Sequence, residues 1–126
     1  MNEQRIETDE SPHIMIPECG GQVVVKSWLQ TAVSIQGPSF TVEQNGAIRL
    51  TSQGDLFLAV PAQTRLSLGV VQGDVTLKHL QGGITADDLQ RNVTLNNVDA
   101  VQIERVGLAL TGADLNGTLD VRQVDG

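Results

Sequence analysis

From His13 onward the chain alternates apolar and polar residues in short runs: HIMI, QVVVKSW, AVSI, SFTV, AIRL, DLFLAV and RLSLGV. Each run is closed by Gly, Pro, Asn or Gln. A period of two sends successive side chains to opposite faces, so these runs predict β-strands joined by tight turns. No window carries the 3.6-residue period of an amphipathic helix over three turns, and the chain reads as all-β.

A longer period overlies the alternation. One column of aliphatics runs Val71, Leu80, Leu89, Val98, Val106, Leu115 and Val124, at intervals of 9, 9, 9, 8, 9 and 9. Four residues after most of these stands a second aliphatic, at Val75, Ile84, Val93, Leu110 and Leu119. Two further on stands a third apolar or small residue, at Leu77, Ala86, Leu95, Gly112 and Val121. One deletion near Asp99 brings Val101 and Ile103 into the same columns. Gly73, Gly82, Gly117 and Gly126 fall two places after the first column, where a corner calls for a residue without Cβ.

This pattern predicts a single-stranded β-solenoid with about nine residues per strand-plus-corner unit, regular over 66–126. Two units would close an 18-residue flattened coil and three a 27-residue triangular one. Branched aliphatics with hardly any aromatics favour the thinner coil. The competing architecture is a meander or sandwich of short strands. Upstream the register loosens, because Val23, Val33, Phe40, Ile48, Leu56 and Leu66 lie 10, 7, 8, 8 and 10 apart. The N-terminal half is therefore expected as irregular coils or an antiparallel cap, with Trp28 and Phe57 plugging the end of the core.

Composition narrows the function classes. At 126 residues the chain suits one domain, expected over 13–126, behind a polar acidic tail at 1–12 that carries five charges. A net charge of -7 with eight Lys and Arg argues against nucleic acid and against an anionic membrane surface. Cys19 is the single cysteine, which rules out an intramolecular disulfide and points to a reducing, cytoplasmic setting. No apolar run approaches the length of a membrane span, so neither a signal peptide nor membrane insertion is expected.

The run GDLFLAVPAQTRLSLGVVQGDVTLKHLQGG resembles the bacterial adhesin-like β-strand-repeat family of unknown function. In that family a strand ends in Val-Pro, the next in Gly-Asp-Val, and further Gly-Asp-Val or Gly-x-Leu rungs follow. Val60, Pro61, Gly73, Asp74 and Val75 fit this theme, and GGQVVVKSW is similar to the family's first strand. The resemblance spans roughly 14–126 and implies a β-solenoid-like fold with no established activity. The chain shows no secretion signal or membrane anchor of the kind a surface adhesin needs. A more distant likeness, to the polymer-forming bactofilins, lies in the short aliphatic rungs flanked by polar tails.

Reactive constellations are scarce. His13 and His79 have no Cys or Ser motif beside them. Asp87 and Asp88 are neighbours whose side chains diverge on an extended strand, so they cannot flank one scissile bond; a solvated corner is expected for them. The turns QGD and QGG at 72–74 and 81–83 lack the second Gly-x-Asp step of calcium-binding repeats. No catalytic, metal or cofactor residue is assigned, and no enzyme activity is expected. Thr76, Thr85, Thr94 and Thr111 sit between inward residues, and on an 18-residue turn Thr76, Thr94 and Thr111 would stack as an exposed ladder.

These residues point to a structural or interaction module that forms a homo-oligomer. Its expected self-association edge is Leu115, Leu119, Val121 and Val124, in a last rung that runs out at VRQVDG without a polar cap. The alternative is a carbohydrate- or ligand-binding module of adhesin type, for which a row of exposed aromatics would speak and which the repeats do not supply.

Overall fold

The computed structural model describes residues 2–8, 12–37, 40–44, 47–113 and 117–124. In chain order the strands are β1 (Asn2–Glu7), β2 (His13–Cys19), β3 (Val23–Trp28), β4 (Ala32–Gly37), β5 (Phe40–Gln44), β6 (Ile48–Ser52) and β7 (Leu56–Pro61). There follow β8 (Arg65–Val71), β9 (Val75–Lys78), β10 (Ile84–Leu89), β11 (Val93–Asn96), β12 (Val101–Val106), β13 (Leu110–Ala113) and β14 (Leu119–Val124). They form two seven-stranded sheets. The first runs β1-β4-β7-β3-β9-β11-β13 and the second β14-β12-β10-β8-β2-β6-β5.

In the C-terminal half the chain visits the two sheets alternately. Leu66, Ile84, Val101 and Leu119 are register neighbours on parallel strands of the second sheet, at steps of 18, 17 and 18 residues. Val75, Val93 and Leu110 do the same on the first sheet, at steps of 18 and 17. The short step is the deletion near Asp99, absorbed without loss of pairing. One circuit sends Leu66, Leu68, Val71, Val75, Leu77 and Leu80 into the core, and the next sends Ile84, Ala86, Leu89, Val93, Leu95 and Val98. Along the second sheet two residues separate Leu68 from Val71 and Leu89 from Ala86, so these strands bend before their last inward residue. At the corner after β12, Gly107 lies so close to the Gln90 carbonyl that a Cβ would collide with it.

The N-terminal half departs from a uniform coil. The pair β2–β3 lies between β6–β7 and β8–β9, parallel to both: Ile14 neighbours Ile48 and Leu66, and Val23 neighbours Leu56 and Val75. Strands β4 and β5 run antiparallel to β7 and β6, and β1 runs antiparallel to β4. The connection from β7 to β8 therefore passes over the β2–β3 pair. It is fixed by the Thr64 amide donating to the Pro61 carbonyl at 3.1 Å and the Gln81 amide donating to the Ala62 carbonyl at 2.7 Å. Both sheets are thus mixed, and a single-stranded solenoid extending over 13–126 is not what they make up. The physical reason is that a parallel strand pair can be flanked by any pair of matching length and polarity, whatever its place in the chain. Residues 2–7 of the segment expected as a tail form β1, with Ile6 buried against the core.

Inward side chains of both sheets join in one core cluster of Ile, Leu and Val with Cys19. Trp28 and Phe57 do not plug it. Leu56 and Leu58 point inward, so the alternation of β7 turns Phe57 to the outer face. Trp28 is likewise only half-buried at the end of β3.

Candidate functional site

Two surfaces stand apart from the polar remainder. The first is the end of the molecule formed by β13 and β14. Leu119, Val121 and Val124 are register neighbours of Val101, Ile103 and Val106, all of which are buried. In the last strand the same inward positions lose their cover: Leu119 is 38% exposed and Val124 45%, with Val121 intermediate. Leu110 is only half-buried, whereas its neighbour Val93 is buried. Strands β13 and β14 are each the outermost of their sheet, so their free backbone groups face the same way as this apolar surface. Leu115, predicted to belong to it, lies outside the described residues. The opposite end differs, because there the outermost strands β1 and β5 are antiparallel additions and Phe40 and Val42 pack against the core.

The second surface is the outer face of the first sheet. Register places Gln36, Phe57, Val24, Thr76, Thr94 and Thr111 in one row across β4, β7, β3, β9, β11 and β13. The predicted ladder of Thr76, Thr94 and Thr111 is therefore continuous with an apolar stretch that sequence reasoning missed. A parallel row holds Ser34, Ala59, Lys26, Lys78 and Asn96. Lys26 and Lys78 are the chain's two lysines, side by side on adjacent strands. Between the rows and Trp28 lies a concavity of about 520 Å³, lined by Val24, Lys26, Trp28, Phe57, Ala59 and Lys78, with Ser34 and Gln36 at its rim. The Trp28 indole is held by donating its Nε1–H to the Ala32 carbonyl at 2.7 Å, and the Arg5 guanidinium lies 5.7 Å from its ring centroid. Arg5 pairs with Glu7 at 3.1 Å, and Gln36 donates to Glu3 at 2.7 Å. Neither lysine meets a carboxylate at ion-pair distance among the described residues.

Elsewhere the titratable groups serve the framework. His13 Nε2 lies 3.0 Å from Ser67 Oγ, the contact a nucleophile and its base would make. Among the described residues no carboxylate is hydrogen-bonded to the other ring nitrogen to orient it. Asp87 and Asp88 lie within β10, not in a corner, with Asp87 exposed and Asp88 half-buried. Asp74 turns its carboxylate back to accept from the Asn92 amide at 3.2 Å, and Asp55 accepts from the Gln22 amide at 3.0 Å. Both carboxylates thus tie adjacent circuits. Among the described residues no three His, Cys, Asp or Glu side chains converge as metal ligands, and no helix is long and apolar enough to cross a membrane. Burial pushes the Cys19 thiol above its ordinary 9.0; the nearby Asp55 charge adds to the rise and the hydrogen bond to Gly21 opposes it.

No family model, curated protein or solved structure matches the chain.

Proposed function

We propose that the chain is a non-catalytic structural module in which β8–β14 wind as a short two-sheet β-solenoid, and that it associates with a second copy through the open β13–β14 end. The observation that carries this reading is the exposure of Leu119, Val121 and Val124 at positions whose register neighbours are core. Apolar surface left in water costs roughly 25 cal/mol per Å², and unpaired strand edges favour pairing with another edge. One end carries this surface while the other carries an antiparallel cap, which favours an isologous contact between two like ends. Such a contact closes on itself as a dimer and does not propagate as a fibre.

Sedimentation tests the reading. The unmodified chain is expected to run as a dimer at tens of micromolar, the order at which a modest interface without aromatic anchors is populated. Leu119→Lys with Val121→Lys should run as a folded monomer, because like charges would then meet across the junction. A monomeric unmodified chain, or a double variant that still dimerises, would overturn it.

A ligand-binding module is the second reading, favoured by the concavity that gathers Trp28, Phe57 and both lysines on one face.

A further inference from the structure

The geometry points to the concavity on the outer face of the first sheet as a binding site for an acidic saccharide, a sugar ring that bears a carboxylate. Three features of that face combine to specify it. Phe57, Val24, Ala59 and the indole of Trp28 give an apolar floor on an outer sheet surface, where polar residues are the rule. A pyranose offers the matching partner, because one face of its ring presents C–H groups that pack on aromatic side chains. Ser34 and Gln36 line the same concavity, and they carry the short hydroxyl and amide groups that pair with ring hydroxyls.

The third feature is charge. Lys26 and Lys78 are register neighbours on parallel strands, which stand about 4.8 Å apart. Two ammonium groups so placed repel one another. The chain has a net charge of -7 and fifteen acidic residues, yet among the described residues no carboxylate reaches the two lysines. An anionic ligand group between the two ammonium ions would remove the repulsion and accept a charge-assisted hydrogen bond from each. Arg5 adds a third cation beside Trp28, already partnered by Glu7. A polyphosphate backbone is disfavoured by the overall negative charge, and a bare inorganic anion leaves the aromatic floor unused. A ring with one carboxylate uses both.

Trp28 is the only tryptophan of the chain, so its fluorescence reports this site alone. The experiment titrates the intact chain with an oligogalacturonate, with a neutral oligosaccharide of the same length, and with sodium phosphate. Expected is a saturable change in Trp28 emission with the oligogalacturonate, weakened by added salt, and little or none with the other two. Lys26→Gln with Lys78→Gln should weaken binding roughly tenfold or more, and Phe57→Ala should weaken it too, with melting temperatures close to the parent. Thr94→Ala, further along the same row, should bind as the parent does. Because Phe57→Ala could loosen the fold, the lysine pair, exposed and remote from the core, is the deciding variant. Equal binding of the neutral oligosaccharide, an equal response to phosphate, undiminished binding by the lysine variant, or no response to the oligogalacturonate would each overturn the assignment.

Discussion

Asn97 stands one circuit above His79 in the same corner, and its side-chain amide meets the imidazole, Nδ2 to Nδ1, at 2.8 Å. Both residues have left-handed backbone, with φ of 52° and 57°. Their backbones are tied as well, since the His79 amide donates to the Asn96 carbonyl at 2.9 Å. The corner after β9 is thus repeated after β11, one circuit on, and in both a polar side chain that tolerates the left-handed region fills it. His79 takes part in this contact between successive circuits.

That corner gives the first prediction. Asn97→Val should destabilise the chain by about 1–2 kcal/mol, because a β-branched residue is strained at positive φ and the contact with His79 is lost. Asn97→Gly loses the contact but relieves the strain, and should cost less. Thermal melts of the two variants decide it: equal losses would show that backbone conformation does not govern the corner.

The inward register gives the second. Leu89 is buried and Thr94 is exposed. Leu89→Asp should prevent folding at room temperature, since an unpaired buried charge costs several kcal/mol against a total stability of about 5–15 kcal/mol. Thr94→Asp should melt within a few degrees of the parent. Similar melting temperatures for the two would contradict the register.

These predictions rest on features that the sequence displays openly. The nine-residue column is legible because each circuit repeats the same inward task, and Val71, Leu80, Leu89, Val98 and Val106 are all buried. The deletion near Asp99 was legible for the same reason, as was the stacking of Thr76, Thr94 and Thr111. What stayed hidden is the order of the N-terminal strands. Alternation in HIMI or QVVVKSW says that a strand has one buried face, but pairing is made by backbone groups that every residue shares. The sequence therefore does not say that β2 and β3 lie between strands that follow them in the chain. For Trp28 and Phe57 size is no sign of burial, since both lie on the outer face of their strands and are only half-buried. The alternation of Leu56 and Leu58 carried through Phe57 turns it outward. The pairing of Lys26 with Lys78 is illegible without the strand order, since they lie 52 positions apart in the chain.

Cys19 gives the third prediction. Its side chain is buried, with Sγ 3.3 Å from the Gly54 carbonyl. The native thiol should resist a disulfide reagent at pH 8 and react at once in denaturant. Since its pKa is raised in the folded chain, the folded state holds the proton more tightly than the unfolded state. As pH rises above the ordinary value of 9.0, the unfolded chain loses its proton first, and the contribution of this group to stability falls with further rise. Denaturant titrations of the parent and of Cys19→Ala at pH 8 and pH 10 separate the effect of this thiol from other alkaline effects. A loss of stability between the two pH values that is as large in Cys19→Ala would assign it elsewhere.

The protected thiol also makes the association testable at the level of geometry, which is the last prediction. If Cys19 is unreactive in the native chain, a cysteine introduced on the surface is the sole accessible thiol. Arg122 lies near the middle of β14, exposed, and its contact with Glu104 at 3.5 Å is a surface ion pair worth about 1 kcal/mol or less. In a two-fold contact between like ends, residues near the middle of β14 approach their own counterparts across the axis. Arg122→Cys should therefore be joined to a second copy by a short bismaleimide at tens of micromolar protein. Thr41→Cys, exposed on β5 at the capped end, should stay monomeric under the same treatment. Adding Leu119→Lys and Val121→Lys to Arg122→Cys should abolish the cross-link. A product from Thr41→Cys alone would move the interface to the capped end. A product formed only when Arg122→Cys and Thr41→Cys are mixed would mean a head-to-tail contact, which does not close and would be seen as growing filaments.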